Sequence, residues 1–162
     1  MFKLARDRFG NILLEKHTAY RTSTAPIDIS VVGDTVAVAD VMKSMSLVQY
    51  TQAEEGEREP KFEEIARHYQ TLWSTAVAPI EENVYLLADA EGNLVVLQQN
   101  ITGVTESDRK RLQPTSEIRL GEMVNRIHPI VIQTYTETAV SARALLATVR
   151  LPAFTLKIMY KT

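Results

Sequence analysis

NVYLLADAEGNLVVLQQ, residues 83 to 99, contains two β-prone runs separated by a turn signal. The runs are Asn83–Ala88 and Leu94–Gln99, and both are rich in valine, leucine or tyrosine. The segment between them, Asp89–Asn93, holds Gly92, and glycine tolerates the positive φ angles that tight turns require. The stretch therefore predicts an antiparallel hairpin.

The same pattern of β-prone runs separated by turn residues continues on both sides of this hairpin. Toward the N-terminus, Gly33 and Asp34 separate IDISVV from TVAVADV, and SLVQYT follows as a third strand. Toward the C-terminus, PIVIQTY (129–135) and ALLATV (144–149) suggest a further pair. Short strands that recur every ~8–12 residues are typical of a sandwich, barrel or propeller, so we predict an all-β fold.

KFEEIARHYQTLWSTAVAPIEEN, residues 61 to 83, is the ambiguous stretch. Phe62, Ile65 and Tyr69 have helical spacing, but the segment around Trp73 has β-branched residues and its surroundings are β. We therefore predict two strands over residues 62–80, with a break near residues 70–72. The acidic run 54–60 is interpreted as a solvated connection.

One short helix is predicted at residues 105–112. Thr105 can cap its first turn, and Asp108 lies at the capping-box spacing. The run Arg109-Lys110-Arg111 that follows is interpreted as a solvated helix face rather than a phosphate-binding patch.

The composition and the missing motifs bound the function. The chain has 162 residues, no cysteine and a formal net charge of −2, which suits one soluble domain and disfavours autonomous binding of duplex DNA or RNA. No apolar run approaches the ~20 residues that span a bilayer, so cytoplasm or nucleus is expected. We found no phosphate-binding loop, nucleophile elbow or local metal motif, and we expect no enzymatic activity, no cofactor and no metal.

Five sequence segments resemble a known family in their order and spacing along the chain. They are GDTVAVADVMKSMSLVQY, FEEIARHYQTLWSTAV, LLADAEGNLVVLQ, ESDRKRLQ and LGEMVN. They are similar to the C-terminal propeller of the damage-specific DNA-binding protein family. This family is shared with the large subunit of the cleavage and polyadenylation factor and with a splicing-factor scaffold subunit. The resemblance implies a partial β-propeller of about three to four blades, each a four-stranded antiparallel sheet, with one short inserted helix.

The resemblance also implies a non-enzymatic scaffold of a cullin-RING ubiquitin ligase that acts in DNA damage repair, located in the nucleus and also in the cytoplasm. Its expected partners are helical motifs of substrate-receptor proteins, the remaining propellers and the cullin scaffold. An amphipathic helix would bury its apolar face between propeller surfaces. The alternatives are a nucleic-acid-binding or RNA-processing subunit and a non-functional truncated product.

Receptor-facing positions of the family are carried over one at a time. Arg67, Trp73, Asn125 and Val149 match the family's residues, whereas four positions are exchanged: Val41 for leucine, Lys43 for arginine, Gln70 for asparagine and Met123 for phenylalanine. From the residues alone, Trp73 reads either as core or as an exposed anchor for a partner. The resemblance favours the anchor.

The chain departs from the family pattern in its C-terminal sequence and in its length, and the first departure sets the predicted domain boundary. Residues 1–149 are assigned to the partial propeller, and residues 150–162 (RLPAFTLKIMYKT) to a divergent tail that does not match the family.

At ~40–45 residues per blade, 162 residues leave a propeller open, which exposes unpaired strand edges. We therefore expect the isolated chain to be oligomeric or poorly soluble.

Overall fold

The structure is a computed structural model that describes residues 1–53, 59–131, 142–148 and 154–157. These residues form antiparallel strands and one short helix. The elements in chain order are β1 (Phe2–Arg6), β2 (Ile12–Lys16), β3 (Pro26–Val32), β4 (Thr35–Asp40), β5 (Ser44–Thr51), β6 (Lys61–Arg67), β7 (Ser74–Glu81), β8 (Val84–Asp89), β9 (Asn93–Gln99), α1 (Glu106–Arg109), β10 (Leu112–Arg119), β11 (Val124–Val131), β12 (Ala142–Thr148) and β13 (Phe154–Lys157).

The strands form four antiparallel sheets in which neighbours in sequence are neighbours in space. We call the β1–β2 pair the N-terminal hairpin, β3–β6 sheet I, β7–β10 sheet II and β11–β13 sheet III. The first strands of sheets I, II and III pack side by side, since β7 contacts both β3 and β11. This radial order of meander sheets around their first strands is a partial β-propeller, as predicted.

Two apolar layers hold the three sheets together. Sheet II lies between the other two, so both of its faces are covered and β8 is buried along its whole length. Successive residues of β8 point to opposite faces: Leu87 packs in the layer shared with sheet I, and Leu86 packs in the layer shared with sheet III. Burial on both faces explains why this strand has a continuous apolar run instead of an alternating one.

The turn of the N-terminal hairpin has the same hydrogen bonds as the β8–β9 turn of sheet II. The carboxylate of Asp7 accepts hydrogen bonds from the amides of Phe9 and Asn11, both at 2.8 Å. Asp89 accepts the corresponding bonds from Glu91 and Asn93, at 3.0 and 2.8 Å. The glycine before each asparagine has φ +84°. The segments DRFGN (7–11) and DAEGN (89–93) are therefore the same turn at two places in the chain.

The strand predictions are confirmed where the structure describes them. Both hairpins form, Val124–Val131 pairs with β12, and residues 61–81 form two strands separated by residues 68–73. The helix begins after Thr105, and the predicted capping box with Asp108 is present. Of the acidic connection, residues 54–58 lie outside the described residues.

Four strands were not predicted: β1, β2, β10 and β13. β10 shows why, since only Leu112 of its residues is buried and the strand contains Pro114. As the last strand of its sheet, it needs no alternating apolar pattern and tolerates a proline. β13 lies within the predicted tail and pairs with β12.

Candidate partner-binding face

Four connections meet at one end of sheets I and II. They are the β4–β5 turn (41–43), the β6–β7 loop (68–73), the β8–β9 turn (90–92) and the β10–β11 loop (120–123). In antiparallel meander sheets, the second turn of each sheet and the loop to the next sheet emerge at the same end. We call this end the loop face.

Backbone hydrogen bonds join the four connections in series. The amide of Ser44 donates to the carbonyl of Leu72 at 3.3 Å, and the amide of Ala90 donates to the carbonyl of Trp73 at 2.8 Å. The amides of Leu120 and Gly121 both donate to the carbonyl of Gly92, at 2.8 and 3.2 Å. The loop face is therefore a continuous hydrogen-bonded surface, and the backbone of Trp73 is fixed within it.

Gly92 lies where the β8–β9 turn closely approaches the β10–β11 loop. A Cβ atom added there would stand 2.8 Å from the amide nitrogen of Glu122 and 3.0 Å from the carbonyl carbon of Gly121. Its φ of +84° also lies in the left-handed region that favours glycine. Both the turn and the close approach of the β10–β11 loop require the absence of a side chain.

Asp40 shapes the β4–β5 turn. Its carboxylate accepts hydrogen bonds from the amides of Met42 and Lys43, at 3.1 and 3.2 Å, and from the amide of Thr24 at 2.9 Å. The hydroxyl of Thr24 is a further donor. Burial raises the pKa of Asp40, but these hydrogen bonds outweigh burial and the net pKa lies below the ordinary value. The ionised carboxylate fixes the backbone next to Val41 and Lys43.

A cluster of three buried polar residues, Ser44, His68 and Ser74, stabilises the β6–β7 loop. The Ser44 hydroxyl lies 2.7 Å from Nδ1 of His68, and the Ser74 hydroxyl donates to the carbonyl of Ser44 at 3.1 Å. All three residues are buried, and Ser44 has φ +61°. The amide of His68 also donates to the carbonyl of Met45 at 2.9 Å. This group connects the start of β5 with both ends of the loop that carries Trp73.

His68 makes the stability of the loop face sensitive to acid. Burial lowers the pKa of His68, so the folded chain keeps the imidazole neutral while the unfolded chain gains a proton near pH ~6.5. Stability is therefore complete above that pH and falls as the pH drops below it. We expect a lower urea midpoint at pH 5.5 than at pH 7.5, and a smaller difference in His68→Gln. An equal difference in that variant would contradict this role.

The loop face exposes large apolar side chains. Trp73 is 60% exposed, Met42 is 47% exposed and Met123 is 38% exposed. Trp73 and Met123 hold equivalent places, since each immediately precedes the first strand of its sheet. Trp73 therefore lies in a loop next to β7, not in the core.

The predicted site residues divide between two places. Val41, Lys43, Gln70, Trp73 and Met123 all lie in loop-face connections, and all except the half-buried Val41 are exposed. Asn125, also exposed, is the second residue of β11 and follows Val124, whose carbonyl accepts the Thr75 hydroxyl at 2.6 Å. Val149 lies outside the described residues.

Arg67 lies at the outer edge, where β6 meets the start of β10. Its amide donates to the carbonyl of Lys110 at 2.9 Å. Its guanidinium is already engaged within the chain: Nη2 contacts Glu64 at 2.7 Å and Ser23 at 3.1 Å. Nε is buried and has no hydrogen-bond partner among the described residues. A contact between Arg67 and a partner stays a prediction.

The carboxylate of Glu64 also binds the N-terminal segment. The Tyr20 hydroxyl donates to Glu64 at 2.6 Å, and burial together with this hydrogen bond raises the pKa of Tyr20 to about 12. The hydrogen bond from Arg67 to Glu64 in turn raises the pKa of the guanidinium. This group ties residues 20–23 to sheet I.

Two residue roles at the loop face were missed from sequence. Met42 was passed over, although it lies between two predicted residues. Asp89 was not recognised as the residue that shapes its turn, although it has the same spacing to a glycine and an asparagine as Asp7. That repeat was the available signal.

Within the described ranges, no group of three or more His, Cys, Asp or Glu side chains could hold a metal ion. No helix in the part of the chain that the structure describes is long and apolar enough to cross a membrane.

Comparison with known proteins identifies the family. Residues 1–150 match the family described as CPSF A subunit region. The chain is 35% identical to DNA damage-binding protein 1 of Schizosaccharomyces pombe over 130 residues, and 42% identical to DNA damage-binding protein 1a of Arabidopsis thaliana over 94 residues. It is 34% identical to DNA damage-binding protein 1 of Solanum lycopersicum over 122 residues.

The coverage of these relatives is unequal. The matches span 80%, 58% and 75% of this chain but only 12%, 8% and 11% of the respective relatives. The chain therefore corresponds to a small part of proteins that are much longer. With a match over nearly its whole length, the chain belongs to the CPSF A subunit region family.

Proposed function

We propose that the chain is part of a non-enzymatic scaffold whose loop face binds a helical segment of a partner protein. The observation that carries this proposal is the exposed side chain of Trp73 on a backbone held by hydrogen bonds on both sides. Tryptophan is enriched among residues that dominate binding energy, and a fixed backbone lowers the entropic cost of association.

The chemistry of the loop face suits an amphipathic helix. Trp73, Met42 and Met123 offer apolar contacts, and methionine adapts its shape to irregular partners. Lys43, Gln70 and Asn125 add one cationic and two amide side chains that can fix orientation at the rim. An amphipathic helix could bury its apolar face against the apolar side chains of the loop face, while its polar residues pair with the polar side chains there.

The similarity to the family supports a proposal for the partner class. By similarity to DNA damage-binding protein 1, we infer a role as an adaptor of a cullin-RING ubiquitin ligase in the nucleus, with substrate receptors as the source of the helix. Residues 1–149 would form the binding part, together with further propellers of a longer protein, and residues 150–162 a divergent tail.

This proposal is tested by capture of receptor segments. Immobilised helical segments of substrate receptors should retain the chain, and Lys43→Glu together with Met42→Asp should reduce retention because both changes lie in the loop face. Ile101→Asp, at a comparably exposed apolar position at the opposite end of sheet II, serves as the control. Equal retention of all three proteins would contradict the proposal.

Direct binding of nucleic acid is the second candidate, because the relatives are named for DNA damage binding. The net charge of −2 opposes it, since nonspecific affinity for duplex DNA comes from neutralising phosphates. We expect no retention of duplex or single-stranded DNA in a filter assay at ~1 µM protein and ~150 mM salt. At this salt concentration, proteins that bind DNA nonspecifically have dissociation constants of ~10⁻⁴–10⁻⁶ M. Retention that falls steeply with added salt would favour this second function.

A further inference from the structure

The charged side chains of the loop face are separated by sign. The backbone hydrogen bonds that join its connections lead from the β4–β5 turn of sheet I, through the β6–β7 loop and the β8–β9 turn, to the β10–β11 loop that enters sheet III. Lys43 lies in the first of these connections, Glu91 in the third and Glu122 in the fourth. From the sheet I end to the sheet III end of the face, a cation is therefore followed by the apolar Trp73 and then by two carboxylates.

Two further cations belong to the sheet I end. The segment that precedes β3 lies beside the β4–β5 turn, since the carbonyl of Ala25 accepts a hydrogen bond at 2.9 Å from an amide of that turn. Arg21, in the same segment, is exposed. The guanidinium of Arg111 lies over the ring of Tyr69 in the β6–β7 loop, 5.3 Å from the ring centroid. With Lys43, these two arginines form what we call the cationic group.

The carboxylates nearest to the cationic group are engaged elsewhere. Asp40 is buried and accepts the amides of its own turn. Glu64 is paired with Arg67 at 2.7 Å, and Asp108 belongs to the capping box of α1. Among the described residues, no member of the cationic group forms an ion pair. Its charge is therefore available to a partner.

The carboxylates of the sheet III end also have no cation paired with them in the part of the chain that the structure describes. Glu91 is exposed and Glu122 is half-buried. By the register of β9 and β10, Arg119 points to the same side of sheet II as Val95, which packs against sheet I. Arg126 of β11 is paired with a carboxylate of β3 at 2.8 Å. The two ends of the loop face thus differ in the sign of their exposed charge.

We propose that the loop face binds a helix whose charges are separated along its length, with its acidic end over sheet I and its basic end over sheet III. This inference rests on the proposed function and adds the direction and the charge pattern of the bound helix. Packed sheets are ~10 Å apart, so the path from sheet I to sheet III is about 20 Å, which ~13 residues of helix span. A uniformly charged partner is attracted at one end of the face and repelled at the other.

Two synthetic amphipathic peptides of ~13 residues test the charge pattern. Both have the same apolar residues and equal numbers of Glu and Lys, but one carries Glu in its N-terminal half and Lys in its C-terminal half, whereas the other alternates them. The charge-separated peptide should bind about fivefold more tightly in fluorescence anisotropy at low salt, and added salt should reduce this preference.

Charge-reversal variants separate recognition by the loop face from differences in peptide helicity, because the peptides are the same for every protein variant. Lys43→Glu with Glu91→Lys keeps the net charge but mixes the signs at both ends, so the preference should disappear. Lys61→Glu with Glu81→Lys changes the opposite end of sheets I and II and should retain it. Equal affinities of the two peptides for the unmodified chain, or a preference that the Lys43 and Glu91 exchange leaves unaltered, would overturn the proposal.

The absence of cysteine allows the direction of the helix to be measured by disulfide trapping. A cysteine at the N-terminus of the charge-separated peptide should be trapped by Met42→Cys, and a cysteine at its C-terminus by Met123→Cys. Reversed or equal trapping would overturn the direction while leaving helix binding intact, and so would binding of receptor segments by a chain that binds neither peptide. Failure of receptor segments and peptides alike would contradict the proposed function itself.

Discussion

Gly92→Ala should lower the free energy of unfolding by at least ~2 kcal/mol. A non-glycine residue in the left-handed region costs ~1–2 kcal/mol, and here the new Cβ also meets backbone atoms of residues 121 and 122 at 2.8–3.0 Å. Backbone cannot rotate away as a flexible side chain does, so the β10–β11 loop must move. Urea unfolding followed by far-ultraviolet circular dichroism measures this loss.

Gly10→Ala is the matched control for this change. Gly10 occupies the same turn with the same φ of +84°, but a Cβ atom added there would have no atom within 4 Å. It should therefore show only the conformational cost of ~1–2 kcal/mol. Equal losses in Gly10→Ala and Gly92→Ala would show that the contact between the β8–β9 turn and the β10–β11 loop contributes nothing.

Trp73→Ala should weaken binding of the partner helix about 30-fold, which corresponds to ~2 kcal/mol, the usual threshold of a hot-spot residue. Because the side chain is 60% exposed and only its backbone carbonyl accepts from Ala90, the fold should remain intact. Fluorescence anisotropy of a labelled helical segment of a substrate receptor gives the affinity, and circular dichroism verifies the fold.

The control for Trp73 lies at the other end of sheet II. Ile101 follows the end of β9, away from the β8–β9 turn, and is 57% exposed, nearly as much as Trp73. Ile101→Ala removes a comparable exposed apolar side chain and should leave the affinity within a factor of about two. A larger loss in Ile101→Ala than in Trp73→Ala would move the binding surface to the opposite end of the sheets.

The strands could be predicted where burial leaves a pattern in the sequence. β8 and β9 are continuous apolar runs because sheet II is covered on both faces, and the turn between them contains the glycine that its φ requires. β10 could not be predicted in this way, because an outer strand with one buried residue carries no apolar period.

The candidate site could be predicted only in part, for a physical reason. A resemblance selected Trp73 and Met123, and the structure places both directly before the first strand of a sheet. The hydrogen bonds that fix this surface, from Ser44 to Leu72 and from Ala90 to Trp73, join residues that are 28 and 17 positions apart. Such contacts depend on how sheets pack and leave no local pattern. Arg67 was grouped with Trp73 from sequence, whereas its guanidinium is engaged by Glu64.

The most direct test of the loop face is the emission of Trp73, because it is the only tryptophan in the chain. Its exposed indole should emit at long wavelength in the free protein, and a receptor helix that covers it should shift the emission saturably to shorter wavelength. A helix that binds, as shown by its own anisotropy, while the emission of Trp73 stays unchanged would contradict the assignment of this face as the binding site.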